Sequence, residues 1–153
     1  MHRQFIKIVS VLSLMVLVGC AGHGPVEINY GQDPCDYCKM TIADNKFGSE
    51  LVTSKGKVYK FDSIECLAAY AQVNTGENAS VKSMWVTDFN NAGTFVRVDN
   101  ATIVLSERQN SPMGVGLVAF SLSPEAERFV TEKGGKILNW PETNKIVAQV
   151  WKL

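Results

Sequence analysis

The chain has 153 residues, no formal net charge, 46% hydrophobic residues and 20% charged ones. That is enough apolar material for one medium domain or two very small ones. The absence of a basic excess argues against nucleic acid as a partner. With only His2 and His23 in the chain, chemistry that needs several imidazoles is excluded.

Residues 1–19 read as a lipoprotein signal peptide. Arg3 and Lys7 make the start positive, and "IVSVLSLMVLV" is an uncharged apolar run. The run is short for a membrane span, which needs about 20 apolar residues. It closes on Leu17-Val18-Gly19-Cys20, which resembles a bacterial lipobox, so Cys20 is expected to carry the lipid anchor. An ordinary cleaved signal or an anchor helix is the alternative. Ala21, rather than an aspartate, slightly favours the outer membrane. The expected location is the periplasmic side of a bacterial membrane, an oxidising compartment. Lipidation uses Cys20 and leaves Cys35, Cys38 and Cys66. Three thiols are not a complete disulfide framework.

Residues 20–34 contain Gly and Pro without periodicity and read as a tether. "GSELVTSKGKVYKF" predicts a hairpin turning at "SKGK". Asp62 or Ser63 caps a helix over "SIECLAAYAQV", with Ile64, Leu67, Ala68 and Ala71 on one apolar face. "VKSMWVTDF" follows as a strand. "GTFVRVDNATIVL" gives two short strands around Asp99-Asn100, and "GVGLVAFSL" a further one. Ser123 caps a second helix with Pro124 at its first position, ending at Gly134-Gly135. "KILNW" and "NKIVAQVW" read as closing strands. "VYKFDSIECLAAYA" matches "LVAFSLSPEAERFV" at a constant offset of 59. Phe61 then pairs with Phe120, Tyr59 with Val118, and Tyr70 with Phe129. The expected fold class is α+β with mostly antiparallel strands: two similar ββαβ units, 35–92 and 93–153, too small to stand apart.

The chemistry concentrates in "DPCDYCKMTIADNKFG". A reactive C-x-x-C needs a thiol acidified at a helix start, and "KMTIADN" after Cys38 does not open a helix. A thiol–disulfide oxidoreductase using Cys35 and Cys38 is the runner-up reading. Structural zinc wants four Cys or His ligands, and a second C-x-x-C is missing. The third reading uses Met40. A thioether is a poor zinc ligand and a good ligand for Cu(I). If the segment is extended, Cys38 and Met40 point to the same side. Met113, in the loop "NSPMGVG", is the best further sulfur. Cys66 reads as a small buried residue or as a group facing the metal loop. No acid–base pair or activated nucleophile stands out, so a copper-binding protein without catalysis is expected. A surface lipoprotein with an interaction role is a third possibility.

The lipobox, "CDYCKMTI", "YKFDSIECLAAY" and "SPMGVGLVAF", followed by a helix ending "KGG", together resemble the NosL family of nitrous oxide reductase accessory lipoproteins. The resemblance covers residues 20–140. It implies a membrane-tethered periplasmic Cu(I) chaperone of two ββαβ units, active in denitrification. Its acceptor would be nitrous oxide reductase, whose copper–sulfide cluster it would help assemble, or another cuproprotein. By residue match the copper ligands would be Cys38, Met40 and Met113. The family pattern Tyr-Cys-Gly-Met is here Tyr37-Cys38-Lys39-Met40, and Cys35 is additional: a fourth ligand, or a disulfide partner of Cys38.

Overall fold

In the computed structural model, residues 24–74 and 80–153 are described. The signal, Cys20 and the start of the tether lie outside them. Leu51 and Val52, then Val58, Tyr59 and Phe61, build the hairpin of β1 (Ser49–Thr53) and β2 (Val58–Phe61), with β1 buried at every position. Thr53 N–H closes its turn on Lys57 O at 2.9 Å. After α1 (Ile64–Val73), β3 (Val81–Thr87) pairs with the free side of β1. β4 (Phe95–Arg97) then pairs with β3, so the first sheet continues past residue 92. A 3-10 turn over Val98–Asn100 leads to β5 (Thr102–Leu105). β6 (Leu117–Phe120), α2 (Ser123–Lys133), β7 (Lys136–Leu138) and α3 (Trp140–Trp151) complete the fold.

The sheets have strand orders β2-β1-β3-β4 and β6-β5-β7, and every strand pair is antiparallel. The series β1-β2-α1-β3 and β5-β6-α2-β7 therefore share both element order and pairing. Phe61 and Phe120 end equivalent strands, each almost fully buried, at the offset seen in the sequence. The sheets meet where Asp88 bridges Ala119, and Phe89 N–H donates to Ala119 O at 2.8 Å.

Period-two alternation in the second sheet buries both of its faces. Ile103, Leu117 and Ala119 join a core with Phe61, Ile64, Leu67 and Val86 of the first unit. Val104, Val118 and Phe120 turn to α2, where Phe47, Phe89, Phe120 and Phe129 pack with ring centroids 5.3–5.9 Å apart. Neither unit owns a complete core. That follows from the small apolar area either could bury alone.

Three expectations need correction. "NKIVAQVW" is not a strand but most of α3. Asn139 and Glu142 form a reciprocal capping box, and Pro141 stands in the first turn. Ile146, Val147 and Val150 then recur at helical spacing. Second, α1 is buried around its whole first half, Glu65 included, because α3 covers the side a lone amphipathic helix would leave in water. Third, Ser123 lies inside α2. Leu122 is the N-cap, without a side-chain cap bond, and the Ser123 hydroxyl hydrogen-bonds Thr102 Oγ1 at 3.0 Å. Ser63 does cap α1, accepting from Cys66 N–H at 3.3 Å. Among the described residues, no helix is long and apolar enough to cross a membrane.

Candidate metal centre

The Cys-rich segment folds as a small closed loop. Ile42 N–H donates to Asp33 O at 2.9 Å, Gly31 N–H to Ile42 O at 2.8 Å, and Cys35 N–H to Met40 O at 2.7 Å. Pro34 and Thr41 bridge the neck. Lys39 N–H returns to Cys35 O at 3.0 Å, and Lys39 takes a φ of +67°. The expected extended stretch through Cys38 and Met40 is therefore replaced by a tight reversal. The left-handed backbone at position 39 suits glycine, the residue of the family pattern, better than lysine. Lys39 Nζ folds back to donate to Asp36 O at 2.5 Å.

Asp36 hooks this loop onto β2. Its N–H donates to Lys60 O and its Oδ2 accepts from Lys60 N–H, both at 2.8 Å. The Lys60 ammonium also holds Asp33 at 2.6 Å and Glu27 O at 2.7 Å. Lys60 lies two residues before Asp62, where the chain turns into α1. The hook thus sets Cys35 and Cys38 over the first turn of α1, which carries Cys66. Tyr37 stacks on Trp151 of α3, with ring centroids 5.7 Å apart and planes at 11°.

The result is a cluster of three sulfurs. The Sγ atoms of Cys35, Cys38 and Cys66 all lie within 4.8 Å of one another. Cys35 and Cys66 are fully buried, Cys38 partly, and none is in a disulfide. The Cys66 thiol donates to the Cys35 sulfur and is the main reason the Cys35 thiol ionises well below its ordinary value. Backbone N–H groups of Asp62, Cys38 and Tyr37 help, against the opposing effect of burial. Cys66 is pushed up, first by that shared hydrogen bond and then by burial. Burial also raises Cys38. One thiolate thus forms readily, next to two thiols that a soft cation would have to deprotonate.

Cys66 is the member that sequence reasoning left open between packing and the site; its place depends on the Asp36–Lys60 hook. Met113 is partly buried against the core that contains Cys35 and Cys66. Met40 is 49% exposed beside the cluster. Asp62, nearly buried, has its carboxyl pushed up to about 6 by burial, then by Cys35 and Glu65. It helps line a cleft of about 320 Å³ with Thr41, Asp44, Asn110, Ser111 and Pro112, between the cysteine loop and the Met113 loop.

Three buried or half-buried sulfurs fit a soft, thiophilic ion and offer nothing to a hard one. The NosL family model matches residues 25–147. Among solved structures, the chain is similar to the crystal structure of the copper chaperone NosL from Shewanella denitrificans. They share 25% identity at a TM-score of 0.64, covering 77% of this chain and 94% of that one. No curated protein matches.

Proposed function

The chain belongs to the NosL family, and from that premise we propose that it carries Cu(I) on sulfur and hands it to an acceptor protein. The observation that supports this most is the meeting of Cys35, Cys38 and Cys66 within 4.8 Å, with Met113 on the same core and an exposed Met40 in the same loop. Cu(I) accepts two to four soft ligands, and a thiolate cancels its single charge. Zinc wants four Cys or His ligands in a structural site. Thioethers cannot serve it well, while Met40 and Met113 suit copper. We assign Cys38, Met40 and Met113 as ligands, with Cys35 and Cys66 as the buried thiols behind them.

Transfer then proceeds by ligand exchange. Cys38 holds the inner side of the ion, with the two fully buried cysteines packed behind it. Met40, at the surface, binds more weakly than a thiolate and is replaced first by a sulfur or imidazole of the acceptor. No covalent chemistry is required of the protein. The acceptor we propose, from the family resemblance, is nitrous oxide reductase during assembly of its copper–sulfide cluster, or another cuproprotein. A lipid on Cys20 would hold the carrier at the periplasmic side of the membrane.

The test is a Cu(I) titration of the reduced protein against a colorimetric chelator, for wild type, Met40→Leu and Met113→Leu. Both variants should bind more weakly. Wild-type affinity in both would sink the ligand assignment. A thiol–disulfide oxidoreductase, the competing reading, would ignore the methionines and lose disulfide exchange in Cys35→Ser.

A further inference from the structure

One residue before Cys66, and two before Met113, stand the partners of a buried hydrogen bond that joins the two units. Glu65 is fully buried on the first turn of α1. Its Oε1 accepts a short hydrogen bond from the Ser111 hydroxyl. The same Ser111 Oγ accepts from Gly116 N–H at 2.8 Å, and Ser111 O accepts from Gly114 N–H at 3.0 Å. Ser111 therefore ties both flanks of the loop that carries Met113. The far flank is fixed independently. Gly116 has a φ of +90°, and a side chain there would run into the backbone carbonyls of Ser106 and Gln109.

A carboxylate is a costly way to hold a loop against a helix, because burial penalises its charge. An aliphatic pair would hold the two elements together without that cost. What a buried hydrogen bond adds is direction and a fixed register. Consecutive helical residues point about 100° apart. Cys66 thus turns to the thiols while Glu65 turns to the Met113 loop, and any shift of α1 carries both.

We propose that Glu65 and Ser111 are positioning residues that hold the Met113 thioether at a set distance from the cysteines, making a metal site shared by the two units out of groups neither could place alone. This rests on Met113 being a ligand. It also accounts for a carboxylate inside an otherwise apolar half-helix. Neither residue touches the ion; they act through the loop.

The experiment is a double-mutant cycle on the full reduced chain, read by Cu(I) affinity against a chelator and by copper X-ray absorption. Ser111→Ala should weaken Cu(I) binding by about 10–100-fold, the range for outer-shell partners of metal ligands. It should also remove one sulfur neighbour from the absorption spectrum. In a Met113→Leu background the same change should alter affinity by no more than about twofold. Ser111→Thr, which keeps the hydroxyl, should restore binding. If Ser111→Ala does not fold, Glu65→Leu runs the same cycle. Equal losses with and without Met113, or no loss in Ser111→Ala while Met113→Leu is impaired, overturn the positioning role alone. Wild-type binding by Met113→Leu overturns the ligand reading and this proposal with it.

Discussion

The two ββαβ units use the same strand order, yet only one of them carries thiols. At the offset that aligns Phe61 with Phe120, Cys66 of α1 corresponds to Glu125 of α2, and the capping Ser63 to Leu122. What separates the units is cover. α1 lies between sheet and α3, buried through its first six residues, whereas α2 fully buries only Ala126 and Phe129. A thiol at the start of a covered helix is shielded from chance oxidation and ligand loss; the equivalent position on α2, Glu125, is only half-buried. The difference teaches that the repeated frame supplies shape, while the added C-terminal helix decides which copy can keep reactive sulfur.

The sharpest way to break this asymmetry is to remove its chemistry. Cys66→Ser should lower Cu(I) affinity by about 10–100-fold, the range for groups that back a metal ligand. Glu125→Ser, its counterpart, should leave affinity within about twofold. A Cys66→Ser protein that binds copper normally would reduce the cluster to packing.

A second contrast lies in the strands. Glu50 in β1 is fully buried, with Oε2 accepting from Val26 N–H at 2.9 Å, while the equivalent strand β5 has no buried carboxylate. Burial pushes the Glu50 carboxyl from 4.5 up to about 7, against the Val26 N–H and Lys60 that lower it, with Asp33 adding a little upward. The folded state therefore holds the proton more tightly than the unfolded one. Stability from this group is greatest below about pH 4.5, falls as pH rises to about 7, and is flat above. The slope is at most about 1.4 kcal/mol per pH unit. Denaturant midpoints from pH 5 to pH 7 should fall more steeply, or rise less, in wild type than in Glu50→Gln, because Asp62 adds to the fall while the acidified Cys35 thiol opposes it in both proteins. An unchanged slope in the variant would mean that Glu50 is not its source.

The smallest effect concerns the cysteine loop itself. Lys39→Gly removes a left-handed strain of about 1–2 kcal/mol, offset by glycine's extra unfolded freedom of about 0.5–1 kcal/mol and by loss of the bond to Asp36 O. The net gain should be at most about 1 kcal/mol, seen as a higher urea midpoint. A loss of stability would show that the Lys39–Asp36 bond outweighs the strain.

Much of the frame was legible in the sequence, because strand alternation, the Ser63 cap and the Gly134-Gly135 stop are local signals. The repeat was legible too, since Phe61 and Phe120 end equivalent strands. The closing helix was not. Its apolar residues in "NKIVAQVW" are β-branched and crowded enough to imitate a strand. The signal that resolves them, Asn139 with Glu142 three residues on, is split by the expected strand "KILNW", which takes in Asn139 alone. The motif loop reads as extended in the sequence for a related reason. Lysine at position 39 hides a backbone conformation that a glycine would have announced. Local pattern leaves Cys66 between packing and the metal loop, because its approach to Cys35 runs through Asp36 and Lys60, 24 residues apart in the chain.

The neck of the cysteine loop is made of backbone hydrogen bonds between residues 31 and 42, and of the Asp36 hook, none of which involves a sulfur. In the proposed carrier, ion and fold would therefore be uncoupled to a degree that they are not in a zinc finger, which unravels when its ion leaves. Stripping the ion with a chelator should leave the loop standing with its donors still gathered. Reloading then costs little reorganisation, and the emptied protein is the same object as the one about to be filled.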